Sequence, residues 1–428
     1  MAIKRCYLFS LLFLFAAYIP FINENAMASE VQIASDTLVR VFERDTSKKN
    51  DVFVVPVYEY LRLDAGALST KGLSFHIYGW GRADLGDGDF FKDDTAGELL
   101  YGYLEYTRAE NNLNLRLGRQ YIFEGVANEA VDGLRLSSDL GPYFTVSAYG
   151  GYPAALDSTD GRSGDSIWGG RLAHRYNSLY QLGVSYKLVD NDSDKQDERV
   201  GADLSLFLPF GASLYGISSY NLETEGWAEH SWELRFNVAA LQFKPFYQKF
   251  QYEDFFGSGV KAKNPFIFLR DTDETLEVVG GDVVWPVSAS LELGARFKYY
   301  DYDKRGDSSD FTSLLATWHG QKLTSVGGEF GMMQGDAAEN DYLLARAYFY
   351  YDQLSHILPE GFVTGDVVYV DYDKPIFGED TAWFVSLGAG HRFLDERLEL
   401  KVSGDYSSDP FFDEDVRGML VASYNYGR

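Results

Sequence analysis

Between Phe53 and Tyr426 the chain alternates apolar and polar residues in about twenty short runs. One reads Leu291-Glu292-Leu293-Gly294-Ala295-Arg296-Phe297-Lys298, and another Leu398-Glu399-Leu400-Lys401-Val402-Ser403. A period of two places alternate side chains on opposite faces of a strand. One face of these runs is apolar; the other carries charges, Gly and Ser. In a soluble sheet the polar face looks out to water. Three companions favour the inverted arrangement, apolar face to lipid and polar face to a lumen: an N-terminal export signal, a heavy Tyr and Phe load, and connections whose lengths alternate.

Tight turns are expected at Glu110–Asn112, Tyr176–Ser178, Leu208–Gly211, Ala239–Ala240, Pro286–Ser288, Gly320–Gln321 and Leu394–Glu396. Between them lie acidic, Gly-rich connections, including Gly86–Ala96, Pro153–Asp165, Glu253–Glu274, Asp303–Ser309 and Asp373–Glu379. The pattern predicts an all-β fold, a transmembrane antiparallel β-barrel of about 20–22 strands with short periplasmic turns and long acidic extracellular loops. Asp51–Asp64 reads as a strand, and counted alone it makes the number odd. Val31–Arg44 reads better as a helix, because Leu38, Val41 and Phe42 fall at i, i+3 and i+4 and Ser35 or Asp36 can cap it. Such a helix would plug the lumen or form a periplasmic tail. If it were a strand instead, the barrel would have 22.

Lys4 and Arg5, the apolar stretch Tyr7–Ile22 and Ala26-Met27-Ala28 predict a signal peptide over residues 1–28. Residues 29–51 then form an N-terminal segment and residues 52–428 the barrel, placed in the bacterial outer membrane. The single cysteine, Cys6, lies in that signal, so no thiolate metal site and no haem attachment through cysteine is expected in the exported chain. The formal charge of −26 argues against nucleic acid as a partner. Acidic residues concentrate in the connections, where they solvate the surface and could bridge cations to lipopolysaccharide. Tyr and Phe, 31 of each, suit strand ends with one wet side.

The alternation also assigns the inner face. In Leu73–Asp84 it points Ser74, His76, Tyr78, Trp80, Arg82 and Asp84 inward; in Leu113–Gln120, Asn114, Arg116 and Gln120. Arg119 falls on the outward phase unless a bulge at Gly118 resets it. The further pore-lining candidates are Glu105, Arg135, Lys187, Asp203, Glu233, Arg235, Glu292, Arg296, Lys298, Arg346, Asp366, Glu399 and Lys401. Arg or Lys facing lipid at mid-depth costs roughly 2–4 kcal/mol, so this many charges must face water or each other. Both signs together predict a transverse field that screens solutes. Phe255, Phe256, Phe266 and Phe268 make the longest connection too apolar for an exposed loop, so it is expected to fold inward and narrow the pore. No His lies at a zinc spacing and no G-x-S-x-G elbow occurs, so neither a metal, a cofactor nor an enzyme is expected. Asp301–Asp307 imitates a calcium loop, but Arg305 and Thr312 occupy ligand positions, and it reads as a solvated turn.

Gly- and aromatic-rich strands such as Tyr143–Gly150, the hairpin rhythm and the alternating last strand Leu420–Tyr426 resemble outer-membrane porin-type barrels along the whole chain. Such barrels usually end on an aromatic residue, whereas here Gly427 and Arg428 follow Tyr426. The resemblance implies a water-filled channel for passive diffusion of small solutes or ions; many porins trimerise, which extends a homotrimer to this chain as an expectation. Ser35–Asp45 with Val55–Gly66 also resembles the opening of barrels that partner multihaem cytochromes. That likeness implies a second function, a sheath in an extracellular electron-transfer conduit, although the C-x-x-C that some such sheaths carry is missing here.

Overall fold

The computed structural model describes residues 30–427 apart from 46–48, 88–89, 155–164, 192–193, 257–273, 337–340, 353, 355–357 and 411. The proposed signal, and Phe266 and Phe268, lie outside the described residues. The chain forms a closed antiparallel barrel of 22 strands. In order they are β1 Glu30–Arg44, β2 in two pieces (Val52–Val54 and Pro56–Gly66), β3 Gly72–Asp84, β4 Thr95–Arg108, β5 Leu113–Glu124 and β6 Ala127–Leu140. There follow β7 Phe144–Pro153, β8 Asp165–Tyr176, β9 Tyr180–Asn191, β10 Asp194–Phe207, β11 Ser213–Asn221, β12 Gly226–Val238 and β13 Leu241–Gln251. A short helix, α1 Tyr252–Phe256, precedes β14 Thr275–Pro286, β15 Leu291–Tyr302, β16 Asp307–His319, β17 Ser325–Gly335 and β18 Tyr342–Tyr351. The circuit ends with β19 Gly361–Ile376, β20 Glu379–Phe393, β21 Leu398–Asp409 and β22 Phe412–Tyr426.

Each strand pairs with its neighbour in sequence, and β1 closes the ring. It pairs with β22 from Ile33–Tyr426 to Phe42–Arg417, and with β2 from Glu30–Gly66 to Val39–Val57. Val52–Val54 extends that second ladder, and Val55 interrupts it ahead of Pro56. This corrects the expected helix over Val31–Arg44: the segment is neither plug nor tail but a wall strand, and the wall begins at Glu30 rather than residue 52. Closure leaves no unpaired edge, the condition for a sheet that meets no water on its outer side.

The connections sort to two ends. The first and last strands' free ends, at Glu30 and Tyr426, and the turns at Glu110–Asn112 and Leu394–Glu396 lie at one, the turn end; the acidic connections lie at the other, the loop end. Two expected loops prove shorter. β19 continues to Ile376 and turns on Phe377 and Gly378, with φ of 54° and 99°. Positive φ at both central residues matches the right-handed twist of the strands. The Asp303–Ser309 connection likewise shrinks, since β16 already begins at Asp307.

At the turn end, buried Asp352 pins the β16–β17 connection to the end of β18. Its carboxylate accepts from Thr324 Oγ1 at 2.7 Å and from Leu323 N at 3.1 Å. Burial pushes this carboxyl up, but the Thr324 hydroxyl and Leu323 amide outweigh it, and the group sits below its ordinary value. A depressed folded value contributes stability above the unfolded pKa, about 3.9 for Asp, and loses it as pH falls through the folded value. Asp352→Asn is therefore expected to cost about 1–2 kcal/mol at pH 7. Urea titrations of the refolded barrel should show the gap to the parent closing below that unfolded pKa; a pH-independent gap would contradict the assignment.

Candidate functional site

Register and exposure fix which face is inner. Leu73, Leu104, Leu117, Leu134 and Leu314 share the phase with exposed apolar side chains. The other phase makes contacts between strands that are not neighbours. Lys187 on β9 bonds Glu129 on β6 at 2.9 Å, and Arg171 on β8 bonds Asp203 on β10 at 2.6 Å. Side chains three and two strands apart meet in this way only across a concave surface. The concave face carries the charges and the convex face the aliphatic residues. The chain has the architecture of a transmembrane β-barrel.

The sequence-derived inner residues take up defined partners on that face. Arg116 meets Glu105 at 3.2 Å, and Arg135 reaches Glu124 and, at 3.0 Å, Asn114 Oδ1. Arg296 bonds Asp282 at 2.9 Å and lies 3.6 Å from Glu329. Arg346 holds Asp366 at 2.6 Å, Arg392 holds Glu399 at 3.1 Å, and Arg235 pairs with Glu233. His76 sits between Asp64 at 2.6 Å and Glu105 at 3.4 Å. Glu292, Lys298 and Lys401 lie on the inner phase opposite Thr317, Phe311 and Gly390. The partners Arg62, Asp64, Asp282, Glu329 and Arg392 are residues that the alternation alone did not single out.

Three of the expected lining residues play other parts. Asp84 is buried and accepts from Val55 N and Gly86 N at 3.1 and 3.0 Å, so it anchors the loop end of β3. Arg82 lies with its guanidinium 3.7 Å from the ring centre of Phe91, which belongs to the β3–β4 connection. Lys187 is 3% exposed and also bonds Asp197 at 2.7 Å. It belongs to a packed sector in which Ile122, Val131, Tyr149, Ile167 and Val189 form an apolar cluster on the inner side of β5–β9. The β5–β6 turn leans over this sector: Val126 N donates to Ser185 Oγ at 3.0 Å. Gly125 has φ of 57°, and a Cβ there would run into Ser185 Oγ, so the turn needs glycine for both reasons. Of the expected constriction residues, Phe255 and Phe256 lie in α1. Arg199 donates to Phe255 O, and Asn221 Nδ2 donates to Asp254 O at 2.9 Å, which ties α1 to the inner residues of β10 and β11.

Several polar groups of the convex face have partners on that face. Pairing runs without a shift across Gly118, so Arg119 stays outward and forms a forked pair with Asp132 at 2.7 and 2.8 Å. Glu59 accepts from Ser35 and Thr37 hydroxyls, both at 2.5 Å. His230 Nδ1 lies 2.8 Å from Ser218 Oγ. Among the described residues no group of His, Cys, Asp and Glu has the arrangement of a metal site.

No family model matches the chain, and no curated protein matches it. Among solved structures it is similar to OccAB4 of Acinetobacter baumannii, at 12% identity over 94% of this chain and 100% of that one, with a TM-score of 0.47. A BenF-like porin from Pseudomonas fluorescens Pf-5 shares 10% identity over 93% and 98% of the two chains, with a TM-score of 0.48. OccK2 (OpdF) of Pseudomonas aeruginosa, solved in complex with glucuronate, shares 12% over 93% and 97%, with a TM-score of 0.46. At these identities no residue role transfers.

Proposed function

We propose that the chain is an outer-membrane porin, a water-filled channel through which small solutes or ions diffuse passively. The observation that carries this is the sorting of the two faces: charges of both signs on the concave side of a closed barrel, aliphatic side chains on the convex side. A barrel of this many strands is wider than its side chains can fill, so its interior holds water unless something else occupies it. The lining charges are Arg116 and Glu105, Arg135, Arg296, Lys298, Arg346, Glu292, Glu399 and Lys401. The packed sector behind Lys187 and the inward tie of α1 narrow the bore from one side. Arg119, Glu59 and His230 on the convex face each have a partner, and a paired Arg119 avoids the cost of a lone cation. No specific observation favours the sheath around a cytochrome.

The test is planar-bilayer conductance of the purified, refolded barrel. Stable steps are expected, and a heat-modifiable, folded barrel that gives none would overturn the proposal. Arg296→Glu should then shift permeation toward cations. An ion passing about 10 Å from a two-unit charge change in water-like surroundings feels about 0.8 kcal/mol, roughly fourfold for each ion and, because cations gain what anions lose, roughly 15-fold in their permeability ratio before screening. Reversal potentials in a salt gradient read this directly.

A further inference from the structure

A second feature of the inner face runs beside the ion pairs and meets them at His76. Aromatic rings follow one another along β2, β3 and β4 from the loop end toward the turn end, all on the concave phase. At the loop end Phe42 meets Phe90 at 5.7 Å and Phe90 meets Phe91 at 4.8 Å between ring centres. Arg82, stacked on Phe91, stands opposite Tyr58. From there the spacing is Tyr58–Trp80 6.0 Å, Tyr58–Tyr60 6.4 Å, Tyr60–Tyr78 6.4 Å and Tyr78–Tyr101 5.5 Å. Tyr101–Tyr103 at 5.7 Å and Tyr103–His76 at 4.9 Å complete the lane. It ends at a cavity of about 350 Å³ lined by Ser74, His76, Glu105 and Thr107.

From Tyr58 to Tyr103 these rings are neither buried nor fully exposed, so each shows part of itself to the lumen. An aromatic side chain on a watery surface leaves apolar area unsatisfied. One such ring is ordinary, but a continuous file of them along a pore wall is a surface without a partner. Beside the file lie charges that neutralise each other. Arg62 bonds Asp64 at 2.6 Å, and Arg116 bonds Glu105 while its guanidinium lies 5.2 Å from the Tyr103 ring. Paired ions hold a net charge only weakly, but they still offer hydrogen-bond donors and acceptors at their free edges.

We infer that this lane is a carbohydrate track: a row of weak, overlapping subsites for neutral sugars, with the rings beneath the pyranose faces and the ion pairs beside the hydroxyl rims. A pyranose presents an apolar C–H face and a rim of hydroxyls, which matches rings flanked by polar edges; a simple ion uses only the second. Several adjacent weak sites suit transport, because a solute must leave one as easily as it entered. The inference rests on the channel reading for its use in transport, but binding itself does not require conduction.

The test separates the two. Maltotriose is titrated into the detergent-solubilised full chain while tryptophan fluorescence is followed. Saturable quenching is expected, with apparent affinity weakened about tenfold in Tyr78→Ala and in Tyr101→Ala, the loss of one stacking ring. Tyr78→Phe keeps the ring and should stay within about threefold of the parent, since only one neutral hydrogen bond is at stake; it covers the case in which the alanine variants do not refold. Trp383→Ala, on the convex phase, should bind as the parent does. No saturable response, or an equal loss in Trp383→Ala, would overturn the track. So would saturation by benzoate with none by maltotriose, which would give the rings to aromatic solutes. Sugar binding by a barrel that gives no ion steps would retract the channel and keep the track.

Discussion

Deleting Glu30–Arg44 is expected to leave no folded barrel at all. The segment is 15 residues at the start of the described chain, and from sequence position alone a trim there looks harmless. Its pairing says otherwise. β1 holds β22 through ten consecutive residue pairs and β2 through ten more. Without it the two new neighbours would be β2 and β22. Both are antiparallel to β1 and therefore parallel to each other, so they cannot join in the ladder that the rest of the wall uses. The truncated sheet would keep two open edges, and each backbone group left unpaired against hydrocarbon costs several kcal/mol. The expected result is loss of the heat-modifiable species on a cold SDS gel after refolding into vesicles. A truncated chain that still shows that species and still conducts would mean that β1 is dispensable, and the 22-strand closure would have to be abandoned.

The same strand shows where sequence reasoning stops. Leu38, Val41 and Phe42 have helical spacing, but in the barrel Leu38 and Phe42 lie on the concave phase while Val41 is convex. Three apolar residues on two faces of a strand imitate one face of a helix, and only the backbone pairing with β22 and β2 separates the readings. Unbroken alternation yields a phase for each residue, as at His76, Arg116, Arg296 and Lys401. Depth and partnership were not. Lys187 has the right phase yet lies buried, because the packed sector builds up from non-neighbouring strands. The Gly125–Val126 turn looks like any short connection until Ser185 is found beneath it. The aromatic lane was half visible in Tyr78 and Trp80. Its other rings lie in Asp51–Asp64, whose place in the wall depended on β1, at Tyr101 and Tyr103 of β4, and at Phe42, Phe90 and Phe91.

Lys187→Met is expected to cost the folded barrel about 3 kcal/mol, the lower end of the range for breaking a buried ion pair from one side. The ammonium is held by Glu129 at 2.9 Å and Asp197 at 2.7 Å, and Asp197 is also held by Arg199 at 2.7 Å. Methionine fills most of the volume but leaves two carboxylates sharing one cation. Asp197 keeps Arg199. Glu129 loses its charge partner in a sector roofed by the β5–β6 turn, and its 30% side-chain exposure lets water repay part of the loss. This is why the lower end of the range applies. The companion change separates charge from packing: in Lys187→Met/Glu129→Gln no carboxylate is orphaned, and most of the lost stability should return. Urea midpoints of the parent, Lys187→Met, Glu129→Gln and the double variant in one vesicle system read the cycle. If the single variant unfolds with the parent, Lys187 is solvated and the sector is loose. If the double variant is no better than the single, the cost lies in the shape of the side chain. Only recovery in the double variant identifies the buried charge as what holds β6 and β9 to β10 across the inside of the wall.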